Sequence, residues 1–207
     1  MSATAPAPSA DQALQRLIDG NERFRRGEVR FPGLVRETLK GLVNSQQPFA
    51  TILGCSDSRV PPELIFDTGL GELFVVRVAG NIFSPEVAGS LQYAASHLNT
   101  PLFLVLGHQG CGAVKAAVQT RDHGEQHRSR IQTLVDNILK GLSPSDPTLS
   151  AEEHLAKAIE SNVRWTVKQI VETPEGQARL AENKIKIVGA IYQVSTGQVR
   201  LLDQAGQ

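Results

Sequence analysis

Two short segments carry most of the reactive chemistry: Cys55-Ser56-Asp57-Ser58-Arg59 and His108-Gln109-Gly110-Cys111-Gly112. They hold both cysteines of the 207-residue chain, one histidine, and a carboxylate two residues from a guanidinium. Two thiolates and a neutral imidazole form a soft ligand set that zinc prefers. Three protein ligands, with a fourth position that can open, are the pattern of catalytic rather than structural zinc. The H-x-x-C spacing on a Gly-containing turn lets His108 and Cys111 reach one ion. The residues therefore imply one zinc per chain, held by Cys55, His108 and Cys111 and activating water. The alternative is a disulfide between Cys55 and Cys111, which would need neither the histidine nor the Asp-x-Arg beside it.

Asp57 has two readings. It is a fourth zinc ligand that closes the site, or it pairs with Arg59 and leaves the fourth position to water. Asp and Arg at i, i+2 in a loop can form a charge-assisted, bidentate pair. A plain surface ion pair is the bland alternative. Gly112 follows Cys111 directly, and its amide can donate to an oxyanion. The other histidines have no neighbouring cysteine. His123 and His127 lie in the polar stretch TRDHGEQHRSR and read as solvated. His97 ends a helix, and His154 precedes the apolar stripe of another. Trp165 reads as packing.

These residues must be positioned by the elements around them. Phe49–Gly54 (FATILG) is a buried strand ending at Cys55. Leu73–Val78 is a second strand, and Leu102–Leu106 a third that leads into Gly107-His108. Ser84 caps a helix with Pro85 at its first position. That helix runs to His97, with Val87, Leu91, Ala95 and Leu98 on one face. Residues 112–118 open the next helix. Ser9/Gln12 and Ser150/Glu153 are capping boxes. The first starts a helix running to Arg26. The second starts one striped by Leu155, Ile159, Val163 and Val167. Pro61-Pro62 begins a short helical turn, and Ile131–Leu139 is helical up to the breaker GLSPSDP. Segments 185–194 and 198–202 read as a closing hairpin. Short apolar strands separated by helices imply an α/β fold, with a mainly parallel central sheet flanked by helices. Ligands in such sheets bind at the carboxyl ends of strands, where Cys55 and His108 both fall.

Whole-chain numbers bound the function. Lys+Arg and Asp+Glu are each 21, so the net charge is zero, which argues against a nucleic-acid or polybasic membrane surface. No apolar run approaches the ~20 residues of a membrane span. Aromatic residues are 5% of the chain, too few for a base-stacking platform. Residues 1–10 (MSATAPAPSA) lack the basic start and apolar core of a signal peptide and read as a flexible arm. Residues 11–207 read as one domain. The expected location is cytoplasmic, with export left open if a leader has been removed.

The run ILGCSDSRVPPELIFDTGLGELFVVRVAGN (52–81), LQYAASHL (91–98) and LVLGHQGCGAVKAAV (104–118) resembles the β-class carbonic anhydrases. RLIDGNERF (16–24) and VGAIYQVSTGQVRLL (188–202) resemble them too. The resemblance implies reversible hydration of carbon dioxide to bicarbonate and a proton by zinc-bound hydroxide. It places Zn2+ on Cys55, His108 and Cys111, and a gating dyad on Asp57 and Arg59. It also implies a substrate pocket with Gln46, Tyr93 and the Gly112 amide, to which Phe74 and Ala79 are candidate apolar additions. Tyr93 would reach the pocket across a dimer interface. A homodimer or tetramer is implied, with the N-terminal helical arm packing on a neighbouring subunit. The chain departs from the family where Arg77-Val78-Ala79-Gly80-Asn81 replaces the frequent Arg-Asn-x-Ala-Asn. It also has Ile52 where one subclass carries a tryptophan of an inhibitory bicarbonate site, so that mode of inhibition is not expected here. Two other readings share this pattern: a hydrolase of carbon disulfide or carbonyl sulfide on the same scaffold, and an inactive zinc-binding scaffold protein.

Overall fold

The computed structural model describes residues 7–30 and 36–203. Residues 1–6, most of the expected arm, lie outside that range. Ser9 accepts from the Gln12 amide at 3.2 Å and donates its own amide to Gln12 Oε1 at 2.8 Å. This reciprocal cap starts α1 (Ala10–Arg26), which Gly27 ends in the left-handed region at φ 71°. The helix thus takes in Ala10, the last residue of the expected arm. A short helix, α2 (Arg36–Leu42), precedes the first strand.

Five strands form one sheet: β1 (Ala50–Gly54), β2 (Leu73–Arg77), β3 (Leu102–His108), β4 (Lys186–Tyr192) and β5 (Val199–Leu201). Their order is β2-β1-β3-β4-β5; β2, β1, β3 and β4 run parallel and β5 pairs antiparallel to β4. Every residue of β1 and β3 is buried, because helices cover both faces. This explains why those strands read as unbroken apolar runs. The expected third strand is longer than the apolar pattern shows and takes in His108 itself. The hairpin closes as expected, with Tyr192 opposite Val199.

The strand order contains the device that builds the site. From β1 the chain winds outward to β2, then crosses back to lay β3 on the other side of β1. Adjacent strands whose connections leave in opposite directions open a crevice at their carboxyl ends. Gly54, the last residue of β1, pairs with Leu106 of β3. Cys55 and His108 therefore emerge side by side at that crevice.

The remaining helices are α3 (Pro62–Ile65), α4 (Pro85–Tyr93), α5 (Gly112–His123), α6 (Ser129–Leu139), α7 (Ala151–Val171) and α8 (Pro174–Ala181). Ser84 caps α4 as expected, but the regular α-helix ends at Tyr93 and continues as a wider π-type turn to Leu98. Ser150 and Glu153 cap α7 reciprocally. That helix lies directly on the sheet: a Cβ on Gly107 of β3 would fall 2.5 Å from Val163 Cγ2. One contiguous set of buried side chains runs from Ala13 of α1 to Leu202 after β5. In α1, Leu17 is buried and Asn21 donates to the Ile65 and Gly197 carbonyls, so this face is used within its own chain.

Candidate metal centre

The ligand atoms of Cys55, His108 and Cys111 all lie within 4.8 Å of one another, and all three residues are buried. Cys55 is the first residue after β1, His108 is the last of β3, and Cys111 is the N-cap of α5. Gly110, at φ 68°, makes the turn that brings Cys111 back under His108. Both cysteines are free thiols, which removes the disulfide alternative.

The donor set fits a metal on its own chemistry. His108 Nδ1 lies 3.1 Å from the Gln109 carbonyl. A carbonyl can only accept, so Nδ1 carries the proton and Nε2 presents its lone pair. Nε2 is buried and has no hydrogen-bond partner among the described residues. An imidazole held by a carbonyl on one nitrogen and bare on the other is the arrangement that metals use. The Cys55 thiol is pushed down to about 4, chiefly by a hydrogen bond from Cys111, with burial opposing and the His108 side chain and then the Gly80 amide assisting. Cys111 is pushed up by the same contact and by burial, while the first-turn amides of α5 resist. The two sulfurs thus share one proton, which a bound cation would displace.

Asp57 is gripped by Arg59. Nε and Nη2 of Arg59 donate to the two carboxylate oxygens at 2.9 and 2.7 Å, and the Arg59 amide adds a third bond at 2.9 Å. The guanidinium holds the carboxyl well below the usual carboxylate range, so Asp57 is an anion. Nη2 of Arg59 also reaches the Gly110 carbonyl at 3.2 Å, tying the two ligand loops together. Asp57 Oδ2 lies 4.0 Å from His108 Nε2. Of its two sequence readings, the carboxylate adopts the Arg59-paired one here.

Sequence reasoning missed the supports behind these loops. Arg77 of β2 donates to the Cys55 carbonyl at 3.0 Å and the Asp57 carbonyl at 2.7 Å, fixing the backbone of the ligand loop. The Gly80 amide lies 3.3 Å from Cys55 Sγ. The departure from the family pattern at 77–81 had marked this segment without showing its role.

The expected pocket residues are placed as follows. Gly112 begins α5 and is exposed, with nothing within 4 Å of an added Cβ. Ala79 is half-buried beside Gly80. Phe74 of β2 and Tyr93 of α4 have ring centroids 6.0 Å apart. Tyr93 is 46% exposed and stacks on His97 at 4.8 Å. Gln46 lies exposed on the segment before β1. His127 corrects its solvated reading: its Nε2 is buried, and its own backbone amide donates to Gln132 Oε1 at 2.9 Å. His154 is not free either, since Arg121 Nη2 reaches its Nε2 at 2.6 Å.

Residues 50–199 match the carbonic anhydrase family profile, 150 positions of the 207. The chain belongs to the β-class carbonic anhydrases. It is 36% identical to carbonic anhydrase 2 of Mycobacterium tuberculosis, over 94% of this chain and 93% of that one. It is also 36% identical to a carbonic anhydrase of Mycolicibacterium smegmatis, over 94% of each. Among solved structures, the Coccomyxa β-carbonic anhydrase in complex with acetazolamide superposes with a TM-score of 0.72 at 27% identity, over 96% of this chain and 87% of that one. Among the described residues no helix is long and apolar enough to cross a membrane.

Proposed function

We propose that this chain catalyses the reversible hydration of carbon dioxide to bicarbonate and a proton, on one zinc ion held by Cys55, His108 and Cys111. The single observation that carries the reading is the buried His108 Nε2, left bare beside two thiol sulfurs at a strand-end crevice. Zinc, when bound, supplies Lewis acidity that makes water nucleophilic near neutral pH. The chain's own residues do the rest. The Gln109 carbonyl fixes the tautomer of His108, and Arg77 fixes the Cys55–Asp57 backbone. Arg59 holds the Asp57 carboxylate in its fork. Asp57 carries the anionic oxygen nearest to His108 Nε2. Released from the fork, it would occupy the fourth position and shut the site, so Asp57 and Arg59 act as a gate.

Carbon dioxide is small and apolar and needs only a modest pocket. Phe74, Ala79 and Tyr93 serve as its apolar lining, Gln46 as a polar contact, and the Gly112 amide as a donor to the product oxygen. Residues 11–207 act as one domain, and the working form is a homo-oligomer.

Metal analysis and stopped-flow carbon dioxide hydration on the wild type and Cys111→Ser test the assignment. The variant should lose most of its zinc, and turnover with it. Near-full zinc content with intact turnover would overturn it. A wild type that turned over carbonyl sulfide but not carbon dioxide would reassign the substrate.

A further inference from the structure

The turn formed by residues 79–81, just past β2, is an unusual piece of backbone. Gly80 and Asn81 both lie in the left-handed region, at φ 71° and 44°. Glycine and asparagine enter that region more readily than other residues, but singly, so two in succession need holding by their surroundings. The turn is wedged from two sides: a Cβ on Gly80 would sit 2.7 Å from Ile138 Cδ1 of α6 and 3.2 Å from the Ala113 Cβ of α5.

It is also tied down from a third side, by α7. Asn162 Nδ2 donates to the Gly80 carbonyl at 2.8 Å, and Thr166 Oγ1 donates to the Asn81 carbonyl at 3.2 Å. Both α7 residues are 1% exposed and stand one helical turn apart on the same face. Asn162 meets this need at a cost. Its Oδ1 is buried without a partner, as is the Asn81 Nδ2 of the same turn, among the described residues. An apolar side chain of equal volume would sit more favourably in a core of Ile159 and Val163. The hydrogen bond to Gly80 is what the asparagine gains there.

The other side of Gly80 faces the metal centre, with its amide 3.3 Å from Cys55 Sγ. Hydrogen bonds to a ligating sulfur orient it and withdraw charge from it. We propose that Asn162, seconded by Thr166, is a positioning residue for the metal centre: it anchors the 79–81 turn so that the Gly80 amide stays on the Cys55 sulfur. This rests on the reading of Cys55 as a metal ligand. Asn162 touches neither metal nor substrate; it acts through Gly80, from a helix that supplies no ligand.

The test uses the full-length protein with cobalt(II) in place of zinc, comparing wild type, Asn162→Leu, Thr166→Val and Val163→Ala. Val163 is fully buried between the same two residues but bonds to no part of the turn, so it controls for simple loss of packing. A sulfur that loses its N–H bond gives up charge to the metal more easily. Asn162→Leu should therefore move the sulfur-to-cobalt charge-transfer band to longer wavelength and weaken metal affinity by about 10- to 100-fold, the usual scale for such supports. Thr166→Val should shift the band the same way by less, and Val163→Ala should leave it in place. An unchanged band and affinity in Asn162→Leu, or an equal change in Val163→Ala, overturns the inference. If Asn162→Leu does not fold, Thr166→Val decides: a shifted band supports the tether, an unchanged one overturns it. A wild type that takes up no cobalt overturns the metal reading itself, and the tether with it; failure of the variants alone leaves that reading standing.

Discussion

At the scale of single residues, the centre combines groups that are poor company without a cation. Two buried sulfurs share one proton, and a buried imidazole nitrogen is left bare. Beside them Asp57 is held in a fork, and Arg59 contributes both hydrogen bonds of that fork. Under the proposed gate, replacing Arg59 with Ala would free the carboxylate to close the site. Arg59→Ala should lower turnover by about a hundredfold, the scale of a misplaced reacting group, while keeping one zinc. Arg59→Lys keeps the charge but loses the fork, and should fall between. Metal analysis with stopped-flow turnover reads both. Near-wild-type turnover in Arg59→Ala from pH 7 to 9, around the range where zinc-bound water titrates, would rule out the gate. Cys55, His108 and Cys111 were legible in the sequence because cysteine is scarce and the H-x-x-C spacing is short. Asn162 was not, since a polar residue beside a helix stripe reads as a solvent-facing one until the turn it bonds to is in place.

At the scale of elements, the apolar runs marked β1 and β3 because both are covered on both faces. Helix α8 escaped notice: its sequence PEGQARLA is short and holds Leu180 as its one large apolar side chain, although Thr173 caps it from the side chain. The packing of α5 against α7 is joined by a polar cluster that no local pattern reveals. Asp122 of α5 accepts from Arg121 at 2.7 Å and from Ser145 of the loop before α7, and its Oδ2 lies 3.8 Å from His154 Nδ1 of α7. Arg121, then Ser145, lowers the Asp122 carboxyl from 3.8 to about 2, with burial opposing. A lowered folded-state value means stability present above pH 4, lost as pH falls toward 2. Denaturant midpoints should therefore drop faster between pH 4 and 2 in the wild type than in Asp122→Asn. The difference should stay within about 1 kcal/mol, because solvent screens the pair. Parallel curves would contradict the assignment.

At the scale of the whole molecule, the strand order explains why residues 53 positions apart meet. The reversal between β1 and β3 makes the crevice, and the two ligand loops are its rims. Tyr93 stands outside that crevice's own ligand set, 46% exposed, packed on Phe74 and His97. The proposed pocket role of a tyrosine so exposed on one chain is explained if a second copy covers it. Sedimentation velocity should show a dimer or tetramer at micromolar concentration, and Tyr93→Ala should weaken both association and turnover. A fully active wild-type monomer would contradict the shared pocket. The central claim, that one zinc on Cys55, His108 and Cys111 powers carbon dioxide hydration, is tested most directly by titrating metal-stripped protein with zinc while following turnover. The account predicts a linear rise that breaks at one zinc per chain. Zinc uptake to that point with no turnover above the uncatalysed rate would contradict it.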